Sequence, residues 1–281
     1  MAIAMEVTTG ELQTIKNFPS QFITSRPVHI WLPDGYSNDQ LYSVLYMHDG
    51  QMLFDASVTW NKQDWGADET AAQLNQSENI KNFIIVAIEN INELRWLEYF
   101  PQKSLTGLTN KKEFKELGIN PDDLKSDNYL QFIVKELKPY IDKNYSVATD
   151  RQNTFIAGSS MGGLISMYAL LEYPEVFGGA GCISTHWPGR NPEKDTLLSN
   201  AILDYLKSNL PEAKHHKIYF DYGDQTLDAY YPPLQKRADE IMQRAGYQST
   251  LWSTRYFKGH AHDENAWKSR LAEPFSFLLG K

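Results

Sequence analysis

The segment TFIAGSSMGGLISMYALL, residues 154–171, sets an apolar run against an apolar helical pattern, with only a Gly-Ser-Ser turn between them. TFIAG reads as a short buried strand, and GGLISMYALLEYP (162–174) as a helix. So abrupt a junction works only if strand and helix nearly touch. Gly158, Gly162 and Gly163 supply the missing bulk there. A chain with this junction must build a sheet and pack helices on it.

The rest of the sequence repeats that alternation. Strand-like runs lie at 28–32, 43–50, 83–90, 154–158, 179–184, 217–223 and 250–257. Helix-length patterns lie at 129–145, 162–174, 196–210, 234–246 and 264–279, and Gly246 closes the fourth of these as a C′ residue. Strands alternating with helices predict βαβ units and a mostly parallel sheet with helices on both faces. The strands before residue 50 have no helices between them and are expected to form an antiparallel edge. Residues 91–128 are polar and turn-rich, too long for an ordinary connection. They read as an insertion over the site, with a surface excursion as the alternative.

Charge and cysteine content exclude several classes. The formal charge is −8 over 281 residues, of which 42% are hydrophobic. Lysines and arginines are scattered; the pairs at 111–112 and 236–237 read as solvated helix charges. This argues against nucleic-acid and anionic-membrane partners. No run approaches the roughly 20 apolar residues of a membrane span. The N-terminal residues lack a secretory pattern, so a cytoplasmic location is expected. Cys182 stands alone, which rules out an intramolecular disulfide, and its apolar surroundings suggest a small buried hydrophobe.

Chemistry concentrates at the glycine turn. Gly158-Ser159-Ser160-Met161-Gly162 satisfies G-x-S-x-G, with Ser160 as nucleophile and Ser159 as spacer. A serine hydroxyl needs a base oriented by an acid. In α/β-hydrolases the order is Ser, acid, His, so both must follow residue 160. His215 and His216 precede a strand, at the wrong end of the sheet for a site. His186 follows a strand but comes before any suitable acid. His260 and His262, in FKGHAHDENAW, follow the last strand, and His262 is the predicted base. No third ligand accompanies this pair, so no metal and no cofactor are expected. The acid is Asp224 or Asp228, both in GDQTLDAYYPP, and spacing leaves the choice open. The oxyanion amides are assigned to Met161, after the nucleophile, and Gln51, in YMHDGQMLFD. Trp60, Trp65, Trp96, Tyr99, Phe100, His186 and Trp187 fall near the same loops; Trp65, His186 and Trp187 are the candidate substrate-binding residues. Arg95 is a candidate for an anionic substrate group or a plain ion pair.

MHDGQMLFD, IAGSSMGGLISMYAL, FDYGDQTLDAYYPPLQ and GHAHDENAWKSRL together resemble the putative-esterase family of α/β-hydrolases. That family holds enterochelin esterase-like enzymes, feruloyl and acetyl-xylan esterases, esterase D and the mycolyltransferases. The resemblance covers residues 25–280 and implies a single α/β-hydrolase domain over 1–281. It implies nucleophile Ser160, base His262, oxyanion amides Gln51 and Met161, and Asp228 rather than Asp224 as the acid. The implied activity is a serine carboxylesterase acting on a small-molecule ester. An acyltransferase and a siderophore- or feruloyl-type esterase use the same residues. A binding module on a hydrolase fold and a metal-dependent hydrolase are the readings from other classes.

Overall fold

The computed structural model describes residues 5–108, 114, 118–192 and 197–281. Their strands are β1 (Glu11–Phe18), β2 (Arg26–Leu32), β3 (Ser43–His48), β4 (Phe83–Ile88), β5 (Thr154–Ser159), β6 (Gly179–Ile183), β7 (Lys217–Tyr222) and β8 (Trp252–Tyr256). They form one sheet in the order β1-β2-β4-β3-β5-β6-β7-β8. The strands from β3 to β8 are mutually parallel. β1 and β2 complete the sheet as antiparallel partners.

Every residue of β3, β4 and β5 is buried, as parallel strands covered on both faces must be. Successive side chains divide between two cores. Val44, Tyr46, Ile84, Val86 and Ile156 face one; Leu45, Met47, Ile85, Ala87 and Phe155 face the other. The helices are α1 (Ala67–Asn75), α2 (Asn92–Tyr99), α3 (Ser126–Phe132), α4 (Lys138–Asn144), α5 (Met161–Glu172), α6 (Leu197–Asn209), α7 (Pro232–Arg244), α8 (Glu264–Lys268) and α9 (Ala272–Leu279). The first core is closed by residues of α2 to α7, the second by α1, α8 and α9. This is the α/β-hydrolase architecture.

Several elements depart from the sequence reading. β1 carries no apolar run: it is an edge strand with mostly exposed side chains. β3 does not belong to an antiparallel edge. It lies at the centre, because the crossover through α1 sets β4 beside it and β5 pairs on its other side. The pattern at 264–279 is two helices, broken where Arg270 and Leu271 turn inward. The helix expected at 129–145 starts at Ser126 and widens into a π turn over Ile133–Leu137, beside Pro139, which has no N–H to give. Gly246 follows α7 with φ 84, as a C′ residue should. Lys236 and Arg237 lie exposed on α7, whereas Lys111 and Lys112 fall outside the described residues.

The described residues of the polar segment at 91–128 carry helical structure at both ends. α2 occupies its start and is tied to β2 by a buried Arg26–Glu98 pair, with nitrogen–oxygen distances of 2.7 and 2.6 Å. Trp96 donates its indole N–H to the Gly189 carbonyl at 2.8 Å. No described helix is long and apolar enough to cross a membrane.

Candidate active site

The loops that follow β3, β4, β5, β7 and β8 converge at the carboxyl edge of the sheet, where open α/β sheets bind their ligands. Between them lies a cleft of about 480 Å³. Gln51, Trp60, Trp65, Arg95, Ser160 and His262 are among its lining residues.

Ser160 links β5 to α5 as the N-cap residue, with φ 58 and ψ −120, a strained conformation for a residue with a side chain. The surroundings hold it there. Its N–H donates to the Ile183 carbonyl at 2.9 Å, and its carbonyl accepts from the Gly163 and His186 amides at 3.0 and 3.1 Å. A Cβ at Gly158 would stand 3.0 Å from the Gly162 backbone, so a side chain there would crowd the turn that glycine lets close. The Met161 amide is the first of α5. First-turn amides have no intrahelical acceptor, and the helix dipole adds positive character there.

Gln51 sits in a 3-10 turn, Gly50–Met52, entered through Asp49 in the left-handed region at φ 58. A Cβ at Gly50 would come within 2.8 Å of the Ala87 and Ile88 backbone, so glycine presses this turn against β4. The Gln51 side chain accepts from the Asn90 amide at 3.1 Å. Asp49 faces Arg95 with two nitrogen–oxygen contacts of 2.8 Å and accepts from Asn90 at 2.7 Å. Arg95 therefore stands on the cleft wall already paired to a carboxylate.

His262 Nδ1 lies 2.6 Å from Asp228 Oδ1. Burial would raise the Asp228 carboxyl, but hydrogen bonds from His262, Gly223 and Ser184 outweigh it and hold it below the usual carboxylate range. An ionised carboxylate only accepts, so Nδ1 carries a proton, and in the neutral imidazole Nε2 keeps its lone pair. Asp224 points elsewhere: it accepts from the Gly259 amide at 2.8 Å and from the Tyr256 phenol. His260 also stays apart, its ring packed on Phe257 and its carbonyl holding the amides of Asp224 and Gln225. No group of three or more His, Cys, Asp or Glu among the described residues is arranged to hold a metal.

Ser160 and His262 are not hydrogen-bonded to each other among the described residues, although both line the cleft. Contacts of this kind often tighten only when substrate binds. A buried phenol, Tyr231, stands between them. It hydrogen-bonds His186 Nδ1 at 2.7 Å, lies 3.5 Å from His262 Nδ1, and faces Ser160. His186 Nε2 must donate to the Arg190 carbonyl, 2.7 Å away, so its Nδ1 accepts from Tyr231.

The candidate substrate residues separate. Trp65 lines the cleft, its ring 5.3 Å from Trp267, which meets the His262 ring edge-on at 5.0 Å. Trp187 does not line it: the indole is fully buried against Phe220 and donates to Gln235 at 2.8 Å. His186 is likewise behind the cleft, committed to Tyr231 and Arg190. Following a strand at the active end placed both near the site; only burial, invisible in the sequence, decides which side they face. Tyr231 was missed altogether. The signal was there, because a residue preceding Pro232-Pro233 is fixed at a helix entry.

The family described as "Putative esterase" matches residues 20–278, and the chain belongs to it. It is thus a carboxylic ester hydrolase of α/β-hydrolase fold. The uncharacterized protein YbbA of Bacillus subtilis (strain 168) is 29% identical over 264 residues, covering 92% of this chain and 94% of YbbA. The iron(III) enterobactin esterase of Dickeya dadantii (strain 3937) is 26% identical over 151 residues, covering 51% of this chain and 33% of that enzyme. A solved ferulic acid esterase superposes with a TM-score of 0.69 at 20% identity, covering 96% of this chain and 98% of its own.

Proposed function

We propose that the chain is a serine carboxylesterase that hydrolyses small to medium esters through an acyl-enzyme. Ser160 is the nucleophile, His262 the general base and then acid, and Asp228 the residue that orients the imidazole. The observation that carries this reading is one juxtaposition. A buried Asp228–His262 contact of 2.6 Å opens on the cleft that holds Ser160 in its strained turn.

The steps follow from the proton positions. Ser160 Oγ attacks the ester carbonyl as His262 Nε2 takes its proton. The oxyanion is received by the Met161 and Gln51 amides; losing one such donor costs about 3–4 kcal/mol of barrier. The alcohol leaves with the proton from Nε2, and water then repeats the sequence on the acyl-enzyme. Relatives named for enterobactin and ferulic acid point to esters that carry a hydroxylated aromatic group. A cleft lined by Trp60, Trp65 and Trp267 together with Asn61, Gln63 and Asn90 suits such groups.

A panel of p-nitrophenyl and feruloyl esters, assayed with a chelator and with a serine-directed phosphonate, tests the reading. Hydrolysis should survive the chelator and vanish with the phosphonate. Loss to the chelator alone would point to a metal-dependent hydrolase. No turnover of any ester and no phosphonate adduct would leave a binding module on the fold.

A further inference from the structure

Behind Asp228 lies a buried cluster to which β6, β7 and the α8 region each contribute. Ser184, the first residue after β6, is fully buried at φ 41. Trp267 donates its indole N–H to Ser184 Oγ at 3.0 Å, and Arg270 donates from Nη2 to the same oxygen at 2.7 Å. A hydroxyl has two lone pairs and one proton. With both lone pairs occupied, the proton has a single destination: Asp228 Oδ2, 2.7 Å away. The second Nη2 hydrogen of Arg270 goes to Asp221 Oδ1 at 3.1 Å, which also accepts the Ser184 amide at 3.0 Å. Arg270 Nη2 is itself 3.8 Å from Asp228 Oδ2. One buried guanidinium therefore stands between two buried carboxylates.

We propose that Ser184 is a positioning residue for Asp228, its hydroxyl aimed by Trp267 and Arg270, with Asp221 holding the guanidinium in place. The proposal rests on the serine-hydrolase reading. Its effect is twofold. The Ser184 hydroxyl and the Gly223 amide, 2.6 Å from Oδ2, anchor that oxygen and leave Oδ1 for His262. The Ser184 donor and the Arg270 charge also draw off part of the carboxylate's negative charge, which moderates its pull on an imidazolium. The charged and titratable groups facing Asp228 are His262, Arg270, Asp221, Tyr231 and His186. Tyr219 acts on Asp221 behind them, and the Asp221 charge in turn raises the buried Cys182 thiol.

Ser184→Gly is the informative variant, because φ 41 suits glycine and the hydroxyl is lost together with only one methylene. Rates are expressed per active site titrated with phosphonate, which removes misfolded enzyme from the comparison. The expected result is a fall in kcat of about tenfold or more with KM unchanged. The acidic limb of the pH–rate profile should move to higher pH, since a less moderated carboxylate favours the imidazolium. Arg270→Lys should lower kcat but displace the limb less, because the charge remains. A purely structural role would lower the melting temperature and the titratable fraction only. Unchanged kcat per site and an unmoved limb in Ser184→Gly would overturn the inference alone. A wild type that takes no phosphonate on Ser160 would overturn the serine reading and this inference with it.

Discussion

Two aspartates four residues apart illustrate what a side chain's surroundings do to its chemistry. Asp228 is fully buried and hydrogen-bonded to His262; Asp224 is only half-buried and serves the loop. Spacing could not separate them, because both follow β7 within one turn-rich stretch. Burial separates them, and burial depends on the 3-10 turn Thr226–Tyr230, which brings Asp228 to His262, Ser184 and the Gly223 amide. Asp228→Asn should lower kcat by about a thousandfold or more, since an amide can favour the wrong imidazole tautomer. Asp224→Asn should keep near wild-type turnover. The reverse pattern in steady-state assays would assign the acid to Asp224. Ser160 was legible for the opposite reason: glycines at 158 and 162 and the apolar runs beside them dictate its turn locally. Trp187 and His186 were not separable from Trp65, because all three follow active-end strands or loops and differ only in the side they turn to.

At the scale of elements, the seven strand-like runs each correspond to a strand; short apolar runs suit the inner strands covered on both faces, whereas β8 is an edge strand marked by alternation with aromatic residues. β1 escaped because an edge strand needs only one buried side. α1 and α2 escaped because their polar residues mask short apolar stripes. α2 matters most for the site, since it carries Arg95 to the cleft wall. Its anchor is the Arg26–Glu98 pair, both side chains almost wholly buried. Glu98→Ala would strand a buried guanidinium, at a cost of about 3–5 kcal/mol. Chemical denaturation should show that loss. A change under about 1 kcal/mol would mean that α2 is held by its aromatic contacts instead.

For the molecule as a whole, acid is expected to be destabilising through two neutral histidines. Burial lowers His48 from 6.5 to about 3 and His186 from 6.5 to about 4. Below 6.5 the unfolded chain binds protons at these positions that the folded chain refuses. Stability is thus fully present above 6.5 and declines as pH falls toward 4 and below. Melting temperatures between pH 7 and 4 should fall, and His48→Leu should flatten the fall whatever its absolute stability. An equal slope in that variant would remove His48 from the explanation. All of these surroundings serve one serine at the carboxyl edge of the sheet. Peptide mapping by mass spectrometry after treatment with a fluorophosphonate reads that serine without reference to any substrate. A single adduct on Ser160, absent from Ser160→Ala, with ester hydrolysis lost in proportion to labelling, is the predicted result. Undiminished hydrolysis with Ser160 fully labelled, or an adduct on another residue, would contradict it.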